Sequence, residues 1–435
     1  MWHTDLFKAI RAEAERQDQG PLAMPPFRGF DWWLFSLCAA RTFMASMFMT
    51  YAACLPVLAR EWNMTGAAAG SISTGFQLAY AVSLVAFSSL ADRIGARRVF
   101  LLSSVLSVVT AIAFAVFARS YPSALVLYSL VAMSAGGTYT PGIMLVADRY
   151  PPARRGGAVG WLIASSSLGY AVSLLLAGTM LTRGGYPLAF LASAAGPVIG
   201  MIIIWPVLRD TPNTVHGRAR GIRFRSEVLT NRRAMSVILG YMFHSWELLG
   251  MWAWAPAFLT ASLAASGALG VHAVALAASL SASFHVVGLV ASSSMGVLSD
   301  RLGRRAVLVS LAAISTACSF TFGWLVACPI ALVVTVGLVY GFSAVGDSPV
   351  LSTALTEVVS PAYLGSALAL RSFVGFSAGA IAPLAFGVLL DISNPGGGAA
   401  TNWGWPFVAL GAGGLMATFC AYTYRPGAGA GRLRS

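Results

Sequence analysis

Charged residues are scarce in this chain. Asp, Glu, Lys and Arg make up 10% of its 435 residues, against 57% that are hydrophobic. With a mean hydropathy of +0.74, that balance excludes an ordinary water-soluble globule. Lysine is nearly missing: Lys8 stands alone among 28 basic residues, which, with the abundant Ala and Gly, points to a GC-rich bacterial genome. The five cysteines have neither metal-ligand spacing nor the pattern of a disulfide framework. No nucleotide-binding loop, metal cluster or nucleophile constellation occurs, which argues against an ATP-driven pump and an enzyme, and leaves no cofactor or metal to expect. The alternating segments of about ten residues that a membrane barrel needs are also lacking. The first 31 residues carry Asp5, Lys8, Arg11, Glu13, Glu15 and Arg16 without the apolar core of a signal peptide. They read as a cytoplasmic tail.

What the chain does have is long apolar runs. Twelve are present, at 32–58, 66–88, 99–118, 122–146, 157–181, 187–208, 234–260, 271–296, 306–326, 329–354, 366–390 and 405–424. A bilayer core needs about 20 apolar residues per helix, and lipid leaves no partner for unpaired backbone groups. The expected fold is therefore an all-α membrane protein of twelve transmembrane helices, divided as tail 1–31, half 32–208, connector 209–233, half 234–424 and tail 425–435. The formal net charge of +13 would suit nucleic acid, but its placement points elsewhere. Arginines crowd into every second loop and the connector, while the opposite loops hold little beyond Arg60, Arg119 and Arg183. By the positive-inside rule both termini and the connector face the cytoplasm, in a bacterial inner membrane whose anionic headgroups the cationic surface would meet. No nucleic-acid partner is expected.

The chain also repeats itself. Asp92–Arg93–Ile94–Gly95–Ala96–Arg97–Arg98 returns 208 residues later as Asp300–Arg301–Leu302–Gly303–Arg304–Arg305. Pro141 in span 4 matches Pro349 in span 10, and Pro56 matches Pro256 near the ends of spans 1 and 7. On the second pair, Arg41 answers to Tyr241, and His244 and Glu247 answer to Met44 and Met47. The second half carries about eight extra residues, placed in 261–270. Within the connector, Arg225–Met235 reads as a short interfacial helix. Two six-helix halves made by duplication are a transporter plan, with the substrate near mid-membrane between them.

These loops resemble the signature of the major facilitator superfamily, Gly-x-x-x-Asp-Arg/Lys-x-Gly-Arg-Arg/Lys, and the resemblance covers nearly the whole chain. The copy from Gly296 to Arg305 fits in full; the first has Ser88 for Gly and Ala96 for a basic residue. The resemblance implies a 6+6 fold and a cytoplasmic gate of Asp92, Arg93, Gly95 and Arg98, with Asp300, Arg301, Gly303 and Arg305. In that gate Asp92 would face the start of span 11, and Arg93, Arg97 and Arg98 would add ion pairs. Spans 1, 4, 7 and 10 would line the cavity. Two features depart from the family. Ala132 stands where an arginine precedes the glycine pair Gly136–Gly137, and Tyr170 replaces a span-5 proline of the drug antiporters.

A charged side chain at mid-bilayer costs about 2.5–3.5 kcal/mol on insertion scales, so such residues are functional candidates. Arg41, Glu247, Asp347 and Arg371 stand inside spans 1, 7, 10 and 11. Arg41 and Arg371 can clamp an anion through paired hydrogen bonds; alternatively Arg41 pairs with Glu247 or Asp347, and Arg371 with Glu357. His244 and Glu247, three apart on one helix, form a proton-coupling candidate. His285 reads as a packing residue. Tyr139 and Trp246 complete the substrate candidates, Trp252 is a further wall residue, and Trp254 reads as an interfacial anchor. The reading is a monomeric secondary transporter moving a small organic anion with H+ by alternating access. An exporter of hydrophobic or cationic metabolites, or a non-transporting sensor, are the alternatives.

Overall fold

The computed structural model describes residues 30–215, 225–396 and 401–425. Most of the N-terminal tail, Arg218, Arg220 and Arg223 of the connector, and the tail beyond Arg425 lie outside the described residues. Within the described residues the helices are α1 (Trp32–Glu61), α2 (Gly66–Ile94), α3 (Ala96–Phe117) and α4 (Tyr121–Arg149), then a run from Pro152 to Arg209, α7 (Arg232–Ala265), α8 (Gly270–Leu302), α9 (Arg304–Phe322), α10 (Ile330–Val358), α11 (Pro361–Ser393) and α12 (Gly404–Thr423). The Pro152–Arg209 run has 58 residues. At 1.5 Å per residue that is about 87 Å, far longer than one bilayer core. Gly184 and Gly185 leave helical geometry inside it, Gly185 at φ 69°. The run is thus two spans, α5 (152–183) and α6 (186–209), and the helices total twelve.

Several boundaries move. The two repeated charged segments are helical through Ile94 and Leu302, so that only Gly95 (φ 93°) and Gly303 (φ 91°) separate successive helices. Charges end a hydropathy run, but the backbone ladder continues past the lipid edge. The connector helix expected over Arg225–Met235 is instead a five-residue turn, Arg225–Leu229, before α7 begins at Arg232. Asn231 accepts hydrogen bonds there from the amides of Arg233 and Ala234, which starts α7 afresh. The extra residues of the second half are split: α7 continues nine residues past Pro256, where α1 continues five past Pro56, and α8 has 33 residues against 29 in α2. The α7–α8 hairpin therefore stands one helical turn taller than α1–α2.

The halves meet along α2 with α11 and α5 with α8. At the end opposite the arginine-rich loops they press together. Side-chain-free glycines make this possible: Gly66 lies against Gly387, Gly70 against the Pro383 carbonyl, and Gly178 against Ala275 and Ala278. Asp391, near the end of α11, accepts hydrogen bonds from the amides of Gly66 (2.6 Å) and Ala67 (2.8 Å), capping α2 of the other half. The apolar core there mixes both halves, with Tyr51, Phe76 and Tyr128 in the same cluster as Trp254, Phe258 and Phe386. Toward the arginine-rich end it separates into one cluster per half, around Phe100 and around Leu308. On the helices that pair across the halves, Gly160 of α5, Gly296 of α8 and Gly365 of α11 have nothing within 4 Å of a side-chain position at that end. The bundle is closed at one end and splayed at the other.

Losing a helix cap costs about 0.5–2 kcal/mol, and here the loss falls on the contact between halves. In Asp391→Ala, spin labels at Glu61 and Ile392 are expected to show a longer and broader distance distribution than in the parent. An unchanged distribution would show that the cap does not hold this end shut.

Candidate functional site

The site begins with an irregularity in α1. Its helical ladder gives way to a 3-10 segment at Ala45–Met47 before resuming at Thr50. Backbone groups freed there find side-chain partners: the Tyr128 hydroxyl donates to the carbonyls of Phe48 (2.7 Å) and Met47 (3.1 Å), and the Met49 amide donates to Ser173 Oγ (3.2 Å). Broken helices of this kind are tolerated at membrane depth only where protein or a cavity surrounds them. The break aims Phe48 inward, stacked on Tyr170 at 4.4 Å and edge-on to Phe76 at 4.9 Å.

One turn before the break, Arg41 is buried at 6% exposure. Its two terminal nitrogens donate to Thr138 Oγ1 of α4 and Ser166 Oγ of α5, both at 2.6 Å, and its guanidinium lies 5.5 Å from the Tyr139 ring centre. Its Nε has no partner. The other half repeats the arrangement with different residues. Arg371 of α11 is 8% exposed, donates to Ser352 Oγ of α10 at 2.5 Å and lies 4.1 Å over the Tyr241 ring, again with an unpartnered Nε. Gly375, one turn further along α11, leaves room for that ring. The pairings weighed for these arginines do not form. Among the described residues neither meets a carboxylate, and Glu357 pairs with Arg304 instead. Across the halves, Tyr80, beside Arg41, packs edge-on to Phe376, which lies on α11 between one and two turns beyond Arg371, at 5.4 Å, so the two arginine–tyrosine pairs flank the same junction. A small cavity opens beside Arg41, lined among others by Thr138, Phe48, Tyr80 and Tyr170.

The His244–Glu247 pair is also replaced. His244 Nδ1 lies 2.9 Å from Asp347 Oδ1, an ion-pair distance without hydrogen-bond alignment, and its Nε2 shares a 2.9 Å hydrogen bond with Ser348. Glu247 turns away from them, its carboxylate packed at Gly414 of α12 and its Oε1 buried without a partner. Three residues along a helix still differ by about 60° in azimuth, enough to send one side chain to α10 and the other to α12. Trp246 likewise points out of the cavity, its Nε1 donating to the Ala409 carbonyl of α12 at 3.0 Å. Trp254 is buried rather than interfacial, bonded to the Pro383 carbonyl and stacked on Phe386. Trp252 does reach the junction of the halves, against Tyr170 (5.5 Å) and His285 (4.9 Å).

The two repeated loops differ in the same spirit. In the second, Arg304 bridges Asp300, Glu357 (3.0 Å) and Ser299 (2.5 Å), tying α8 to α10, while Arg305 lies 4.8 Å over the Tyr422 ring. Ala96 occupies that hub position in the first copy. There Asn213 takes over, donating to the Ile94 carbonyl and accepting from the Arg98 amide against Gly95, while Arg97 donates to the carbonyls of Arg209 and Thr211. The expected ion pairs of Arg93, Arg97 and Arg98 do not form with any described residue. Asp92 and Arg301 both engage neighbours.

Comparison with known proteins agrees with this architecture. The chain belongs to the Major Facilitator Superfamily, whose model matches residues 37–383. It is 25% identical over 366 residues to a probable 4-methylmuconolactone transporter of Cupriavidus pinatubonensis, covering 82% of each chain. A shorter stretch, 32% of each chain, is 32% identical to the MFS-type transporter ppzB of Metarhizium majus. Among solved structures it resembles a bacterial homolog of the human lysosomal transporter Spinster, inward-facing and unoccupied (TM-score 0.71, 17% identity, 91% of this chain and 97% of that one). The nucleoside transporter NupG is comparable, at TM-score 0.70 and 14% identity over 90% and 98% of the two chains. The protein is a multi-pass transporter of small solutes, not an enzyme.

A buried carbonyl left without its donor costs about 1–3 kcal/mol. Tyr128→Phe, which keeps the ring and removes the hydroxyl serving Met47 and Phe48, is expected to lower the melting temperature of the detergent-purified protein by several degrees. Melting within a degree of the parent would show that the break in α1 needs no such support.

Proposed function

We propose that the protein carries a small organic anion, most simply a carboxylate, by alternating access. The observation that carries this is the pair of buried guanidinium groups, one from each half, solvated only by hydroxyls and aromatic faces. An uncompensated buried cation is expensive, and a planar carboxylate offers the two acceptor oxygens that a guanidinium fork matches. With one arginine per half, a bound anion bridges the halves and favours their closing. The site is charge-incomplete when empty, which is the condition for selecting an anion over a neutral or cationic solute.

We assign the arginine-rich, splayed end to the cytoplasm by the positive-inside rule, which makes this arrangement an inward-open one. Coupling to protons is assigned to His244 and Asp347. His244 sits one turn of α7 from Tyr241, which lies beneath Arg371, so the anion's charge and the pair's charge are felt together. Glu247 packs at Gly414 of α12 and makes no hydrogen bond to that pair.

In proteoliposomes loaded by counterflow, Arg41→Gln and Arg371→Gln are each expected to reduce carboxylate flux by roughly thirtyfold or more, in line with removal of one partner from a buried charged contact. Carboxylate flux that survives both changes, or uptake of organic cations in their place, would sink the anion assignment. The coupling assignment is checked separately with an imposed pH gradient. Asp347→Asn should abolish the response of flux to the gradient, whereas Glu247→Gln should preserve it. The opposite pattern would return the proton role to Glu247.

A further inference from the structure

Beside the break in α1 two donors are left unspent. Arg41, at 6% exposure, uses its terminal nitrogens on Thr138 and Ser166, but its Nε has no partner. Ser107 of α3 is 5% exposed, and its Oγ is unpartnered too. Many hydroxyls in this bundle bond to the preceding turn, as Ser104 does to the Phe100 carbonyl; Ser107 does not. Arg41 and Ser107 line the same small cavity, with Met44, Val131 and Pro197 among its apolar walls. The 3-10 segment of α1 brings Ala45 and Met47 to it as well, and broken helices in transporters commonly line ion sites.

Size and chemistry together restrict the occupant. The space measures about 30 Å3, on a scale where one water needs about 10–15 Å3. That is too little for the body of an organic acid and enough for a water or a monatomic ion. The polar groups choose between these two. A guanidinium N–H only donates, and the Ser107 hydroxyl still has its proton to give. Thr138 has already given its proton to the Ala135 carbonyl. A water would accept from Arg41 and Ser107, yet its own two protons would then face a lining that is mostly apolar. A monatomic anion accepts from both and has no proton to place. It also answers the charge, since among the described residues Arg41 meets no carboxylate, and a buried cation without a counter-charge is expensive.

We propose that this niche is a halide site, in which chloride sits on Arg41 and Ser107 until the carboxylate of a substrate takes its place. The competition rests on the anion assignment above, whereas the halide site stands on the niche itself. Chloride suits the walls, because it is more weakly hydrated than fluoride and loses less on meeting methionine and aromatic side chains. Held there, it offsets the charge of Arg41 whenever no carboxylate is bound. The apparent affinity of the carrier for carboxylates therefore falls as chloride rises.

The test is the melting temperature of the full chain, purified in a neutral detergent and titrated with sodium chloride against sodium methanesulfonate at equal ionic strength. Methanesulfonate carries the same charge but is too large for the niche. Chloride is expected to raise the melting temperature saturably, by several degrees. In Ser107→Ala the midpoint of that rise should move to roughly tenfold higher chloride, the value of one buried hydrogen bond, and in Arg41→Gln the rise should vanish. Should Arg41→Gln fail to fold, the midpoint in Ser107→Ala decides. Equal melting in the two salts, a chloride effect that persists in Arg41→Gln, or a midpoint unmoved in Ser107→Ala would overturn the halide site and leave the anion assignment, which is read from flux, standing. A chloride effect with the expected variants, beside carboxylate flux that survives Arg41→Gln, would keep the site and overturn the anion assignment and the competition with it.

Discussion

Against lipid the chain has no water to meet its polar atoms, so each one carried into that zone must find a partner within the protein. This condition makes every span a helix, and it shapes the irregular places too. Where α1 loses its regular ladder, Tyr128 and Ser173 supply the partners that water would supply elsewhere. The same condition makes the exceptions informative. Among the buried atoms left unpaired, the Nε atoms of Arg41 and Arg371 are set apart by their charge, one in each half, and the rest of the bundle is stable enough to hold them.

The duplication supplies the scaffold, and its broken symmetry supplies the chemistry. Arg41 of α1 corresponds to Tyr241 of α7, and, at the 208-residue shift, Tyr139 of α4 corresponds to Asp347 of α10. Each half therefore faces the cavity with residues that are equivalent in place and opposite in kind. The first half offers a cation over a phenol, while the second offers a phenol beside a carboxylate–imidazole pair and receives its cation from α11. The same divergence appears at the loops, where Arg304 serves as a hub and Ala96 cannot. Asn213 from the segment after α6 braces the first loop instead.

Much of the architecture could be read in the residues because lipid punishes ambiguity. Twelve apolar runs could be little else than twelve helices, and charges inside them, such as Arg41, Asp347 and Arg371, stood out against a charge-poor background. What sequence could not supply was azimuth. His244 and Glu247 share a face by spacing, yet the tilt of α7 sends them to different neighbours, and Trp246 follows Glu247 outward. Neutral polar residues were harder still. Thr138, Ser166, Ser348 and Ser352 complete the charged groups, but hydroxyls recur in every helix, where many satisfy themselves on the preceding turn. The serine run Ser165–Ser166–Ser167 was the one local hint. Asp391 stands at the end of an apolar run, where an acid carries no signal until its partner in the other half is known.

That aspartate has a consequence for how the molecule can be watched. The first amides of α2, those of Gly66 and Ala67, are protected by a group belonging to the other half. A helix would ordinarily cap itself, as Thr65 does for Ala68. Exchange of these two protons with solvent is therefore tied to the separation of the halves rather than to the fraying of α2. Without any label or added probe, two backbone hydrogens keep a record of how often the closed end comes apart.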